Sequence, residues 1–170
     1  MIRRVAALCA AVALGFALTS CSSSDKPSAD PSNGPSVPSY ASADNQHGAE
    51  EFASYWVDTL NKATVSGKTA KFKALASKSC TRCADFAAQL DKIYADGGHV
   101  ETKGWDVKTA VPETGLPKGE AAMKMAVIVA PQSVYPTKGS KPQQHKGGPL
   151  TFRLVLTRTG DHWLIKSLDM

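Results

Sequence analysis

From residue 49 onward the apolar side chains Phe52, Tyr55, Trp56, Leu60 and Ala63 recur every three or four positions, with Glu50 and Glu51 at the start and Gly67 just past the end. The spacing predicts an amphipathic helix, opened by an acidic turn that suits the positive end of its dipole and stopped by glycine. Thr69 is placed to cap a short second helix holding Phe72 and Leu75. Ser79 is placed to cap a third, whose buried stripe is Phe86, Leu90, Ile93 and Tyr94 and whose end is marked by Gly97 and Gly98.

Beyond the two glycines the period falls to two. Trp105, Val107, Thr109 and Val111 alternate with Asp106, Lys108 and Ala110, and Met123, Met125, Val127 and Val129 alternate with Lys124 and Ala126. Leu150, Phe152, Leu154 and Leu156 form a third such run, which Thr159-Gly160-Asp161 turns in a tight hairpin into a fourth, His162 to Leu168. Val107, Thr109, Met125, Val127, Phe152, Leu154 and Ile165 are the expected inward positions, and the interior they predict is mostly apolar. Helices followed by hairpin-linked strands define an α+β class, with N-terminal helices packed on a curved antiparallel sheet. No internal repeat interrupts the pattern.

The first 48 residues do not share it. Arg3 and Arg4 precede fourteen uncharged, mostly apolar residues, Val5 to Leu18, too few to span a bilayer and fitting for a secretory signal over residues 1–20. Leu18-Thr19-Ser20-Cys21 resembles the lipobox of bacterial lipoproteins, in which the cysteine thiol receives a diacylglycerol and becomes the first residue after cleavage. The resemblance implies that Cys21 is lipidated and that the protein is held at the cell membrane on its extracytoplasmic face. Residues 22–48 carry eight Ser and four Pro and almost nothing apolar. Such composition cannot repay ordering entropy, so residues 21–48 read as a lipidated cysteine and a disordered tether with a span of about 30 Å. The α+β domain is then 49–170.

The remaining chemistry is sparse. Of four cysteines, Cys9 leaves with the signal and Cys21 takes the lipid, so Cys80 and Cys83 stay as the thiols of the folded part. In an oxidising compartment they read as a structural disulfide, with a helix-start redox pair and a metal site as the alternatives. His47, His99, His145 and His162 lack the spacing of a zinc site, and no metal or cofactor is expected. Asp58, Asp106 and His162 are the candidate acid–base groups, but nothing pairs an acid with a base, and no phosphate loop or nucleophile elbow is present. Trp56, Trp105 and Trp163 suit either core or pocket lining. The net charge is +5. Lys138, Lys141 and Lys146 stand in an acid-free stretch, Pro131 to Gly148, which reads as a mobile loop that is either solvated or a surface for an envelope protein or an anionic envelope component. Outside the cytoplasm, nucleic acid is not an expected partner.

Taken together, EEFASYWVDTLNKATVSG, then SCTRC, the Gly-Gly pair and the closing HWLIKSL resemble an uncharacterised group of actinobacterial lipoproteins and the wider nuclear transport factor two-like, or cystatin-like, superfamily. The resemblance implies a sheet curved around a long helix to form a cone, and a location at the cell surface. In that superfamily some members are isomerases and dehydratases that use an Asp or a His–Asp pair inside the cone. The expected function is a non-enzymatic binding or accessory role in the envelope. An enzyme of the cone, of lyase or isomerase type, or a thiol-redox protein acting through Cys80 and Cys83, is the alternative.

Overall fold

The computed structural model describes residues 36–170. A 3-10 turn, Ser39–Ala41, leads into α1 (Gln46–Ser66), α2 (Ala70–Ala74) and α3 (Thr81–Ala95). Seven strands follow: β1 (Gly97–Thr102), β2 (Trp105–Pro112), β3 (Glu120–Val129), β4 (Gln132–Thr137), β5 (Gln143–His145), β6 (Gly148–Thr159) and β7 (His162–Asp169). They form two antiparallel sheets, one in the order β2-β3-β6-β7 and one in the order β1-β4-β5. This is the α+β arrangement the alternation predicts, with α1 packed against β1, β2 and β3. None of the described helices is long and apolar enough to cross a membrane.

Folding begins earlier in the chain than residue 49. Asn45, not an acidic pair, starts α1, its side-chain oxygen accepting from the Gly48 N–H at 2.8 Å. Ahead of it, residues 36–45 lie on the domain. The Tyr55 hydroxyl donates to the Ser36 carbonyl (3.1 Å), Arg158 to the Ser42 carbonyl (2.7 Å) and the Trp163 indole to the Ala43 carbonyl (3.0 Å). Ala41 is fully buried. Gly48 makes this approach possible, since a Cβ there would stand 2.2 Å from the Ala43 oxygen. The tether assigned to residues 21–48 is therefore corrected over 36–48, where backbone carbonyls, which any composition supplies, hold the chain down.

Two caps differ as well. The Thr69 hydroxyl donates to the Asp91 carboxylate on α3 instead of capping α2, and Cys80, not Ser79, is the N-cap of α3. Ser79 turns to the Lys166 carbonyl of β7 (3.0 Å), tying the start of α3 to the sheet.

Trp56, Phe52, Phe72, Leu75, Met123, Met125, Leu154 and Ile165 are fully buried and belong to one core. Among the described residues this core runs through all three helices and through β3, β6 and β7. The expected inward faces hold in β3, β6 and β7 and fail midway along β2. A bulge between Val107 and Thr109 shifts the register by one, so Ala110 packs on the core while Thr109 and Val111 are exposed. The stretch 131–148 is likewise an ordered hairpin rather than a loop. β4 pairs with β1 from Gly97↔Thr137 to Thr102↔Gln132, and β5 pairs with β4. Its short strands carry three glutamines and a proline where an apolar alternation would have announced them, and backbone pairing supplies the order.

Candidate functional site

Where α1 and α3 meet the smaller sheet, the core does not close. The Leu60 and Thr64 side of α1, the Phe86-Leu90-Ile93 stripe of α3, Val100 on β1, Trp105 on β2 and Val134 on β4 surround a cleft of about 400 Å³. Its walls are fixed by specific contacts. Asn61 clamps the backbone of Trp105 in both directions, donating to its carbonyl at 2.9 Å and accepting from its N–H at 2.8 Å. Phe86 meets the Trp105 ring edge-on, with centroids 6.1 Å apart, and Phe152 backs the indole at 5.6 Å. The Tyr94 hydroxyl donates to the Thr64 carbonyl (2.7 Å), joining α3 to α1 beside the opening.

The rim is amide. Gln89 comes from α3, while Gln132 and Gln143 come from positions of β4 and β5 that point to the same face as Val134. Among the described residues His145 is the one ionisable side chain on the lining, which includes no Asp or Glu. The arrangement offers an apolar floor for contact and neutral donors and acceptors for orientation, as small-molecule sites do. It does not offer the paired acid and base that proton transfer needs.

The acid–base candidates lie elsewhere. Asp58 is exposed on α1, and Asp106 is exposed and ion-paired with Lys108. His162, mostly buried, pairs through Nδ1 with Asp161 at 3.0 Å, and that hydrogen bond holds the Asp161 carboxyl below its ordinary range. Trp56 is core, and its indole N–H finds no acceptor among the described residues. Trp163 lines a second cavity of similar volume, under the β2–β3 connection with Asp44, Glu113 and Lys118. There the Glu113 carboxyl is held low by a bidentate hydrogen bond from Arg153. Of the three tryptophans, only Trp105 stands at the cleft.

Cys80 and Cys83 are bonded, with sulfurs 2.05 Å apart, and both residues are buried. The Cys80 sulfur also accepts from the Cys83 N–H at 3.3 Å, so the pair forms the first turn of α3. Cys80→Ser/Cys83→Ser is expected to lower unfolding stability by about 2 kcal/mol, the chain-entropy value for so short a loop. Denaturant unfolding checks this, and a loss near zero would assign the bond a role other than holding the turn.

Lys138 and Lys141 flank the tip of the β4–β5 hairpin, and Lys146 lies past the far end of β5, roughly 17 Å further along an extended chain. All three are exposed. Cys21 lies outside the described residues. Among the described residues no three His, Cys, Asp or Glu side chains converge as a metal site would require. The glutamine rim and Asn61 escaped the sequence reading, because an amide on a helix or edge strand looks like solvated surface until the fold turns it inward.

The fold is similar to that of the intermembrane-space region of the chloroplast protein ARC6, with a TM-score of 0.53 and 10% identity, covering 74% of this chain and 95% of that one. Two further similar structures are an uncharacterised protein with a cystatin-like fold from Caulobacter vibrioides and an NTF2-like protein with a cystatin-like fold from Novosphingobium aromaticivorans. The first has a TM-score of 0.46 and 13% identity, covering 69% of this chain and 84% of that one. The second has a TM-score of 0.43 and 13% identity, covering 71% and 76%. Comparison with the curated proteins finds no match. The model of a family of unknown function (DUF6318) matches residues 22–169, nearly the whole chain, and the protein belongs to that family.

Proposed function

We propose that this protein is a lipid-anchored extracytoplasmic binding or accessory protein of the bacterial cell envelope, and that its cone-mouth cleft holds a small, uncharged, largely apolar ligand. The observation that carries the reading is the lining: an aliphatic and aromatic floor, a rim of glutamines and no carboxylate. A volume of about 400 Å³ is in the range of small-molecule sites. An uncharged ligand follows from the rim, since a charged one would lose its hydration without gaining a counter-ion. Anchoring through Cys21 is supported by the lipobox-like Leu18-Thr19-Ser20-Cys21, after which the family match begins at residue 22.

The cleft is tested by filling it. Val134→Trp places a bulky side chain in the opening, and the neutral apolar dye Nile red reports on the space. Wild-type protein is expected to enhance the dye's fluorescence saturably, and the variant to bind at least about tenfold more weakly, the loss of about 1.4 kcal/mol. Its melting temperature should stay close to that of wild type. Equal binding by a folded Val134→Trp variant, or no saturable binding by wild type, would sink the reading.

A further inference from the structure

The segment from α1 to the start of α3 carries a charge imbalance larger than that of the 131–148 stretch. Between Asp58 and Asp85 there is no acidic residue, while Lys62, Lys68, Lys71, Lys73, Lys78 and Arg82 all occur there and all are exposed. Elsewhere several bases meet acids: Arg153 pairs with Glu113, Lys166 with Glu120, Lys108 with Asp106, Lys92 with Asp96 and Arg158 with Asp44. Within the basic segment only Lys73 has such a partner among the described residues, Asp91, whose carboxyl its hydrogen bond holds low.

Two of these bases are brought together: Lys73 and Lys78 line one hollow beside the Cys80–Cys83 bond that forms the first turn of α3. The same region receives the N-terminal chain. Tyr55 holds the Ser36 carbonyl with its hydroxyl and carries the Lys71 ammonium over its ring, 5.2 Å from the centroid. Only residues 22–35 separate Ser36 from Cys21. Even fully extended they reach about 50 Å, so a lipid on Cys21 would tether the domain to the bilayer through this end.

We propose that the basic surface formed by Lys68, Lys71, Lys73, Lys78 and Arg82 faces the membrane and binds the headgroups of its anionic lipids. The proposal rests on the lipid-anchor reading for its biological setting and gives the tethered domain a defined orientation. Attraction of this kind needs no pocket: each base close to an anionic surface contributes, and salt within a Debye length weakens it. The β4–β5 lysines are not part of the surface. The Lys138 N–H donates to the Asp96 carbonyl at the C-terminal end of α3, whereas Arg82 is in its first turn, about 20 Å away along the helix.

The chain from residue 22 onward, which carries no lipid, is mixed with vesicles of phosphatidylcholine alone or of equal parts phosphatidylcholine and phosphatidylglycerol and sedimented. Wild type is expected to bind the mixed vesicles only, and to be released by raised salt. Lys71→Glu/Lys78→Glu/Arg82→Glu should weaken that binding at least about tenfold with an unchanged melting temperature. Lys138→Glu/Lys141→Glu/Lys146→Glu should leave it in place. Equal binding to both vesicle types, an α2–α3 variant that binds like wild type, or binding to soluble poly(glycerol phosphate) without binding to vesicles would overturn the proposal. A failed anchor is distinguishable, because it appears in the mass of the N-terminal peptide of the full chain made in cells and not in the vesicle assay.

Discussion

Cys21→Ser should move the protein from the membrane fraction to the soluble fraction, or leave it as an unprocessed precursor, with no change in the fold of residues 36–170. The chemistry allows little in between. Lipid transfer needs a nucleophile, and a thiol near neutral pH supplies a fraction of thiolate that a serine hydroxyl does not. The domain should be indifferent, because the core formed by the described residues runs from Ala41 to Leu168 without Cys21. Fractionation of cells, with the mass of the mature N-terminus, measures both consequences. Wild type and variant equally membrane-bound and equally processed would remove the anchor from the account.

Much of the architecture was legible because burial writes itself into spacing. The 3.6-residue period of Phe52, Trp56, Leu60 and Ala63 and the alternation of Met123, Met125 and Val127 are direct records of which side faces the core. Lost to that reading were the features that depend on backbone groups. Ser36, Ser42 and Ala43 contribute carbonyl oxygens to the docking of the N-terminal segment, and a carbonyl has no residue signature. The β2 bulge at Lys108 is equally silent: Thr109 and Val111 fit the alternation and are exposed by a one-residue shift. β4 and β5 pair through the same backbone groups, on a sequence composed like a loop.

The candidate site was half legible for a related reason. Phe86, Leu90 and Ile93 read as the buried stripe of α3, and two of them remain only partly buried because the β4–β5 hairpin sets Gln132, Gln143 and His145 around Val134 and leaves the space between open. Periodicity identifies which residues face inward and is blind to whether anything meets them there. The glutamines opposite became visible as site residues only once β4 and β5 were placed. The basic segment, by contrast, was open to inspection as an acid-free run from 59 to 84, denser in charge than the 131–148 stretch that drew attention. Its lysines are interleaved with the helical signal of Phe72 and Leu75, which makes them look like the solvated face of a helix.

Arg158→Ala should cost about 2–4 kcal/mol, a large fraction of the stability of a domain this size, although Arg158 is not a core residue. Its guanidinium donates to the Ser42 carbonyl at 2.7 Å and to the Asp161 carbonyl at 2.8 Å, stands 3.6 Å from the Asp44 carboxylate and stacks 5.2 Å from the Trp163 ring. The side chain is only 15% exposed, so its stem also packs. Alanine removes two charge-assisted hydrogen bonds and bares one face of Trp163. The segment from 36 to 45 would then be held mainly by the Tyr55 and Trp163 bonds. Arg158→Lys should recover part of the loss, since a single ammonium keeps the charge while giving up the fork that reaches two carbonyls at once. Thermal unfolding should therefore rank wild type above lysine and lysine above alanine, with the alanine midpoint lower by about 10 °C. Limited proteolysis should open first within residues 36–48 of the alanine variant. A midpoint close to wild type, or protection of that segment in the variant, would mean that Arg158 touches the leader without holding it.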